Sequence, residues 1–302
     1  MRYEGDIYRP PSEANSLILQ ITIGCSHNKC SFCSMYKNEK FRVRNLEEIF
    51  EDLEESKSYY RRINRIFLAD GDALCLKTET LKKILLKIKE THPQCERVGI
   101  YATAKDVLRK SIEELKELRE LGLGIVYMGL ESGSPEILED INKGVKVEEY
   151  IEASKKARAS GIKSSITVIS GLGGKEKWQQ HATETGKALS LIDPDYVGLL
   201  TLLLDEGTEM TEQVKRGEIT LLKPEEVMEE TKLMLENMNV TNCIFRSNHA
   251  SNYVALRGTL PRDKEKLINI IGNILKEIFI IKRIYIDYYR INLNKLIRNI
   301  KN

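Results

Sequence analysis

Apolar and polar positions alternate along this chain in two different periods. Short runs rich in Ile, Val and Leu predict buried strands. The segments between them carry Leu and Ile at helical spacing, which predicts amphipathic helices that each bury one face. Six strand-like runs occur, at residues 17–23, 65–70, 97–103, 124–132, 162–171 and 195–204. Regular alternation of strands and helices predicts a parallel sheet with right-handed crossovers.

The two ends of the chain depart from this alternation. Residues 1–15 are predicted to form an N-terminal arm, because Pro10 and Pro11 disfavour a helix there. We assign residues 16–240 to the main domain and residues 241–302 to a C-terminal loop and helical extension.

The C-terminal extension contains a polar segment and a basic end. Residues 246–257 combine Arg, Asn, His, Ser and Tyr side chains. They either contact a substrate or form a hydrogen-bonded loop that positions the last helix, and the sequence leaves both readings open. The helix predicted from residue 264 to residue 302 ends in several Lys and Arg residues. We interpret them as a solvated face rather than as a membrane or nucleic-acid contact.

Composition narrows the class of protein. The 302 residues are 41% hydrophobic and 30% charged, which is typical of a globular protein. A net charge of +2 gives no electrostatic indication of nucleic-acid binding. No apolar run reaches the roughly 20 residues of a membrane span, and the first residues lack the apolar segment of a secretory signal. We therefore expect a cytoplasmic protein whose cysteines are reduced.

Three cysteines lie close together after the first predicted strand, at Cys25, Cys30 and Cys33. Three thiolates can bind three irons of a [4Fe–4S] cubane and leave the fourth iron open to a ligand, whereas electron-transfer clusters normally have four cysteines. Two other interpretations stay open at this point. One is a zinc-binding scaffold with His27 or His249 as the fourth ligand. The other is a non-catalytic iron–sulfur protein.

The cysteine run also resembles a known family. A strand followed by three closely spaced cysteines, with Phe32 before the last, is similar to the radical SAM superfamily. The usual spacing there is C-x-x-x-C-x-x-C. This chain has C-x-x-x-x-C-x-x-C, with His27 and Asn28 in the longer gap.

The resemblance implies both cofactors and a reaction. A [4Fe–4S] cluster would bind S-adenosylmethionine at its open iron. One electron from a flavodoxin or ferredoxin-type reductant would then cleave it to a 5′-deoxyadenosyl radical, which abstracts hydrogen from a substrate. The implied fold is α/β, a six-stranded partial (β/α)6 TIM-type barrel, here with a C-terminal helical extension. In such barrels the chemistry lies at the carboxyl ends of the strands.

Further motifs follow the predicted strands. An Asp-Gly-Asp turn occupies the place of the family's Gly-Gly-Glu-like turn, which holds the methionine amino group. A Gly-Leu-Glu-Ser-Gly-Ser segment resembles the coproporphyrinogen-dehydrogenase-like and methylthiotransferase-like branches, where the Glu contacts the cofactor. A glycine-bearing strand end resembles the segment that lies against the adenine. By resemblance, the predicted cofactor contacts are Asp70, Gly71, Asp72, Glu131, Ser170 and Gly171.

The substrate is not predicted by these motifs. Coproporphyrinogen dehydrogenases carry a further cysteine two residues past the trio, where this chain has Met35. The remaining cysteines, Cys75, Cys95 and Cys243, are isolated in the sequence, so we expect no second cluster. Small-molecule, peptide and tRNA substrates all stay open.

Overall fold

One eight-stranded sheet organises the chain in the computed structural model, which describes residues 1–281. The strands, in chain order, are β1 (Leu17–Gln20), β2 (Thr22–Ile23), β3 (Arg42–Val43), β4 (Arg65–Ala69), β5 (Arg97–Ala102), β6 (Leu123–Glu131), β7 (Lys163–Ser170), β8 (Tyr196–Thr201), β9 (Cys243–Arg246) and β10 (Arg257–Leu260). The sheet has the order β1-β4-β5-β6-β7-β8-β9-β10, and β2 pairs separately with β3. All neighbours in the sheet are parallel except β9 and β10.

Helices connect successive parallel strands. Their bounds are α1 (Leu46–Tyr59), α2 (Thr78–Thr91), α3 (Ala104–Arg109), α4 (Ile112–Glu120), α5 (Pro135–Asp140), α6 (Val147–Ala159), α7 (Gly174–Ile192), α8 (Glu209–Lys215) and α9 (Pro224–Asn237). The chain is also helical over residues 264–281. The Asn45 side chain accepts a hydrogen bond from the Glu47 amide at 3.1 Å and caps α1.

The predicted α/β partial-barrel fold is confirmed. All six predicted strands form and lie parallel in the predicted chain order. The sheet stays open within the described residues, with β1 and β10 as its two edges. The first predicted strand is interrupted at Ile21, whose carbonyl accepts from the Arg44 amide at 3.0 Å, and the chain then continues as β2.

Two strands were missed by the sequence analysis. The segment after residue 241, predicted as a loop, forms β9 and β10. Cys243 and Phe245 in β9 are fully buried, and the residues between and after them are partly or fully exposed. Only four residues alternate, inside a polar segment, so the period-2 pattern was too short to recognise. The predicted boundary at residue 240 therefore lies within one continuous sheet.

The two faces of the sheet have different cores. Ile66 and Leu68 point to the face that packs against the helices, in the main hydrophobic core. Phe67 and Ala69 alternate with them and lie in a smaller cluster on the opposite, inner face. There the rings of Phe67 and Tyr127 meet edge to face, with centroids 5.7 Å apart. The inner face is thus narrow and aromatic.

The N-terminal arm lies against this inner face. Ile7 packs on the inner cluster, and a single 3₁₀ turn, Pro11–Glu13, follows it. Glu13 is fully buried, and its carboxylate accepts hydrogen bonds from Arg97, Tyr127 and Ser16. The arm is therefore anchored in the barrel interior by an ion pair, although the sequence predicted it only as a leading segment.

The end of the C-terminal helix cannot be compared with its prediction. The basic tail at residues 282–302 lies outside the described residues. Within the described part of the chain, no helix is long and apolar enough to cross a membrane.

Replacing Glu13 tests the anchor of the arm. Glu13→Ala removes the buried carboxylate that Arg97, Tyr127 and Ser16 share, so we expect it to lower the free energy of unfolding by about 3 kcal/mol. Glu4→Ala is the control, because Glu4 pairs with Arg42 where both side chains are about half exposed. We expect this control to cost less than about 1 kcal/mol. Both free energies of unfolding are measured by urea denaturation. Equal losses for Glu13→Ala and Glu4→Ala would contradict the proposed anchor.

Candidate active site

The cysteine loop is held against the turn that follows β4. Gly24, just before Cys25, donates its amide to Asp70 Oδ2 at 2.9 Å, and the Gly71 amide donates to the Gly24 carbonyl at 3.2 Å. A Cβ on Gly71 would lie 2.8 Å from the Cβ of Cys25 and 2.8 Å from the Tyr36 ring. Only glycine permits this close approach, so Gly71 sets the position of the first cysteine.

The three thiols are half-buried and free. Burial raises the pKa of Cys30 to about 11, against the opposing effect of nearby Lys143, and the Glu131 carboxylate adds to the rise. Burial also raises the pKa of Cys33. Burial thus disfavours the thiolate form of both residues, and metal binding must release the thiol protons.

Asp70 anchors the cysteine loop with one of its two carboxylate oxygens. Besides the Gly24 amide, Oδ2 accepts from Gln20 Nε2 at 3.1 Å. Burial raises the pKa of Asp70 to about 6. The residue adopts a φ of +82°, which is rare for a residue other than glycine. Its second oxygen, Oδ1, is buried without a partner.

Asp72 belongs to a pair of carboxyl groups. It accepts a hydrogen bond from Ser26, the residue after the first cysteine. Burial, and then the adjacent Asp106 carboxyl, raise the pKa of Asp72 to about 8. A proton held at Asp72 spares this buried pair a second negative charge.

Glu131 ends β6 at a bulge. The register with β7 shifts between Gly129 and Glu131, and Glu131 has a φ of +66°. Such bulges re-aim side chains beside active sites. The carboxylate folds back over Gly129, where an added Cβ would lie only 2.0 Å from Oε1. Oε1 accepts from Lys143 Nζ at 2.9 Å, and Oε2 is buried without a partner.

Lys143 is a site residue that the sequence analysis missed. Its ammonium lies 2.9 Å from Glu131 Oε1 and interacts electrostatically with Cys30 of the cysteine loop. The side chain is only 14% exposed. Its neighbours in the turn, Asn142 and Gly144, both have positive φ values. The signal that could have indicated Lys143 is its place in a short turn-forming sequence, Asn-Lys-Gly, that follows the Glu131 segment by about ten residues.

The longer first gap of the cysteine motif contacts that same turn. His27 Nε2 donates to the Asn142 carbonyl at 2.6 Å, and a Cβ on Gly144 would lie 2.6 Å from the His27 ring. His27 therefore supports the turn that carries Lys143. His249, the other histidine considered as a zinc ligand, forms a hydrogen bond between its Nδ1 and Ser251 Oγ at 2.8 Å.

No single-ion site is formed in the described part of the chain. Across residues 1–281, no three His, Cys, Asp or Glu side chains gather closely enough to hold one metal ion. A [4Fe–4S] cubane does not require its cysteines to converge on one point, because each of three cysteines binds a separate iron.

Ser170 and Gly171 occupy the end of β7. Gly171 has a φ of +92°, and its amide donates to Glu230 Oε2 at 2.8 Å. Ser170 Oγ is buried without a partner. Strand β7 pairs with β6 as far as Glu131 and Val168, and hydrogen bonds through helices α7 and α9 link the two turns beyond that point.

The strand ends together fit a cluster and a polar organic cofactor. Buried polar atoms without partners are uncommon and each costs about 1–3 kcal/mol. Three of them, Asp70 Oδ1, Glu131 Oε2 and Ser170 Oγ, belong to residues at the carboxyl ends of parallel strands. Together with three half-buried thiols, this is the donor set expected for an iron–sulfur cluster and a ligand with ammonium or hydroxyl groups.

Fold and site define a partial-barrel enzyme with a three-cysteine loop after its first strand. The family model of the radical SAM superfamily matches residues 19–183, more than half of the chain. The chain belongs to the radical SAM superfamily.

Two curated relatives illustrate the similarity. The uncharacterized protein MJ0486 of Methanocaldococcus jannaschii is 29% identical over 263 residues, covering 82% of this chain and 74% of that protein. The heme chaperone HemW of Bacillus subtilis is 24% identical over 223 residues, covering 71% of this chain and 57% of HemW.

A solved structure supports the fold assignment. Coproporphyrinogen III oxidase (HemN) of Escherichia coli superimposes with a TM-score of 0.53 at 18% identity, covering 73% of this chain and 52% of HemN. This chain spans little more than half the length of HemW and of HemN. At such identity the structural match concerns the fold alone.

Membership of the superfamily confirms the predicted enzyme class and cofactors. The protein is a radical SAM enzyme that uses a [4Fe–4S] cluster and S-adenosylmethionine. The comparisons give no support to a zinc scaffold or a non-catalytic iron–sulfur protein. The individual contact residues stay predictions.

Gly129→Ala tests whether the Glu131 carboxylate must lie over the strand backbone. The new methyl group would displace the carboxylate from Lys143, and we expect a loss of about 2 kcal/mol in unfolding free energy. Gly198→Ala in β8 is the matched control, because no atom lies within 4 Å of its added Cβ. This control should change stability by about 0.5 kcal/mol or less. Indistinguishable unfolding curves would show that Glu131 has room to move.

Proposed function

We propose that Cys25, Cys30 and Cys33 each bind one iron of a [4Fe–4S] cluster, and that the neighbouring strand-end turns bind S-adenosylmethionine. The observation that carries this proposal is the position of the Lys143–Glu131 ion pair beside two half-buried thiols. When bound, these groups supply reductive cleavage of the sulfonium and hydrogen abstraction from a substrate.

The roles of the predicted contacts follow from their present partners. Glu131 Oε2 and Ser170 Oγ are free to bond to cofactor ammonium or hydroxyl groups, because the protein leaves both atoms without a partner. Asp70 and Asp72 hold the cysteine loop through Gly24 and Ser26. Gly71 supplies the space for Cys25.

Lys143 contributes charge rather than a ligand. Three thiolates and a buried carboxylate in one place would repel one another in a low-dielectric environment. The Lys143 ammonium, 2.9 Å from Glu131 and electrostatically coupled to Cys30, offsets part of that repulsion. We infer that it stabilises the deprotonated cysteines that metal binding requires.

Aromatic side chains protect the site from water. Tyr36 is buried against Gly71, and Tyr8 of the N-terminal arm meets its ring edge to face with centroids 5.6 Å apart. Excluding water prevents side reactions of reactive intermediates. The arm therefore serves the chemistry as well as the fold.

We also propose an external electron source and a reducing cytoplasm. All six cysteines are free, and those outside the trio lie apart on different elements. No second group of closely spaced cysteines occurs in the described residues, and we infer that the electron comes from a flavodoxin or ferredoxin. Either protein should replace a chemical reductant in the assay described next.

Cofactor cleavage is the direct test. The protein is reconstituted anaerobically with iron and sulfide, reduced and given S-adenosylmethionine, and 5′-deoxyadenosine is measured by mass spectrometry. We expect Cys30→Ala to lower its formation about 100-fold or more, because a cluster ligand is lost. Cys95→Ala is the control, since Cys95 precedes β5 at the opposite end of the strands and should keep wild-type activity.

Two outcomes would contradict the proposal. A wild-type protein that takes up zinc, forms no cluster and yields no 5′-deoxyadenosine would refute the enzyme function. Equal activity of Cys30→Ala and wild type would instead remove Cys30 from the ligand set.

Glu131→Gln tests the cofactor contact separately from the cluster. A side-chain amide accepts a weaker hydrogen bond from an ammonium or a ribose hydroxyl than a carboxylate does. We therefore expect the affinity for S-adenosylmethionine to fall about tenfold or more. Iron content should stay at the wild-type level. Glu136→Gln is the matched control on the following helix, where Glu136 pairs at the surface with Lys177. Unchanged affinity of Glu131→Gln, by calorimetry, would exclude this contact.

A further inference from the structure

A fully buried His–Glu pair joins two of the strand-end turns. His181 Nδ1 lies 2.9 Å from Glu230 Oε1, and both side chains are 0% exposed. His181 Nε2 lies 3.4 Å from the carbonyl oxygen of Glu131. The other oxygen of Glu230 accepts from the Gly171 amide at 2.8 Å. The pair thus reaches the end of β6 and the end of β7 at once.

The first of the two turns held by the pair is conformationally demanding. Glu131 has a φ of +66°, which a residue other than glycine keeps only when the surrounding structure fixes it. Gly171 has a φ of +92°, which glycine adopts without strain. The pair provides that fixation from helices α7 and α9, which pack against each other behind the strand ends.

Helix α7 makes further side-chain hydrogen bonds to the first turn, and its first residue, Gly174, donates its amide to the Gly171 carbonyl at 3.1 Å. Thr185 Oγ1 accepts from the Gly133 amide at 2.8 Å, and Gln180 donates to Ser134 Oγ at 3.0 Å. The Thr185 and Gln180 bonds fix residues after Glu131. Strands β6 and β7 are themselves paired as far as Glu131 and Val168, and beyond that point the His181–Glu230 pair adds a side-chain link between the two turns.

The hydrogen-bond geometry also limits the charge of the pair. A bond to the Glu131 carbonyl requires a proton on Nε2, and the contact between Nδ1 and Oε1 requires a second proton between those atoms. With two protons the pair is neutral overall, which lowers the cost of burying it. An apolar replacement on either side breaks the connection.

We propose that His181 and Glu230 are positioning residues, which hold Glu131 and the Ser170–Gly171 turn at the separation that S-adenosylmethionine binding requires. This inference rests on the proposed function of these turns. The two side chains reach the cofactor site only through the backbone of Glu131 and Gly171.

The test compares binding of S-adenosylmethionine with stability. Cluster-loaded, oxidised protein is titrated anaerobically by calorimetry, so that affinity is measured without turnover, and thermal unfolding is recorded for each variant. His181→Leu and Glu230→Leu should each weaken binding about tenfold or more. Glu230→Gln should remain within about threefold of wild type, because its amide can accept from Gly171 and donate to His181.

A second buried histidine provides the control for stability alone. His92 Nε2 lies 2.7 Å from Ser56 Oγ, in a buried pair that joins α1 to the end of α2. His92→Leu should lower the unfolding temperature while leaving affinity within about threefold of wild type. If His181→Leu does not fold, His181→Asn replaces it, since the shorter side chain loses the Glu131 carbonyl and should weaken binding in the same way.

The outcomes separate the two proposals. If the wild-type protein binds S-adenosylmethionine and both His181→Leu and Glu230→Leu bind it with unchanged affinity, the positioning role is overturned and the proposed function stays intact. Equal weakening by His92→Leu would also overturn it, because the effect would then reflect stability. A wild-type protein that binds no S-adenosylmethionine would overturn the proposed function, and the positioning role with it.

Discussion

The contact between the cysteine loop and the turn after β4 is the constraint on which the site depends. The Gly71 amide donates to the Gly24 carbonyl, while the Asp70 carboxylate accepts from the Gly24 amide. Any side chain on Gly71 would collide with Cys25. Because the turn belongs to a strand buried in the sheet, it gives an otherwise irregular loop a rigid support. Preorganisation of this kind would let the three cysteines, as the proposed cluster ligands, keep their places without secondary structure of their own.

The same edge of the sheet collects unusual backbone and unpaired polar atoms. Asp70 and Glu131 both have positive φ values, which are rare for residues other than glycine, and each follows or ends a parallel strand. Asp70 and Glu131 also leave a carboxylate oxygen buried without a partner. Strain and unpaired groups lower stability, so their concentration at one edge is consistent with a functional site. The buried helices behind the edge, with His181 and Glu230 between them, counteract that local cost.

Much of this arrangement was predictable from the residues. Six strand runs and their helical connections fixed the parallel order, since each run was long enough to show its period. The cysteine trio and Glu131 were recognisable because their motifs are local in sequence. Lys143 escaped notice because its partners lie 12 and more residues away, and β9 was missed because only Cys243 and Phe245 marked its buried face. Neither has a local pattern to recognise.

The sequence by itself determined the fold class, the superfamily and the place of the three-cysteine motif after the first strand, because local periodicity and close spacing carry that information. Only the tertiary structure decided which groups share the site. The bulge that turns Glu131 toward Lys143, the docking of His27 on the following turn, and the His181–Glu230 link all join residues far apart in the chain. Such contacts arise from the packing of whole elements, and packing leaves no signature in any short stretch of sequence.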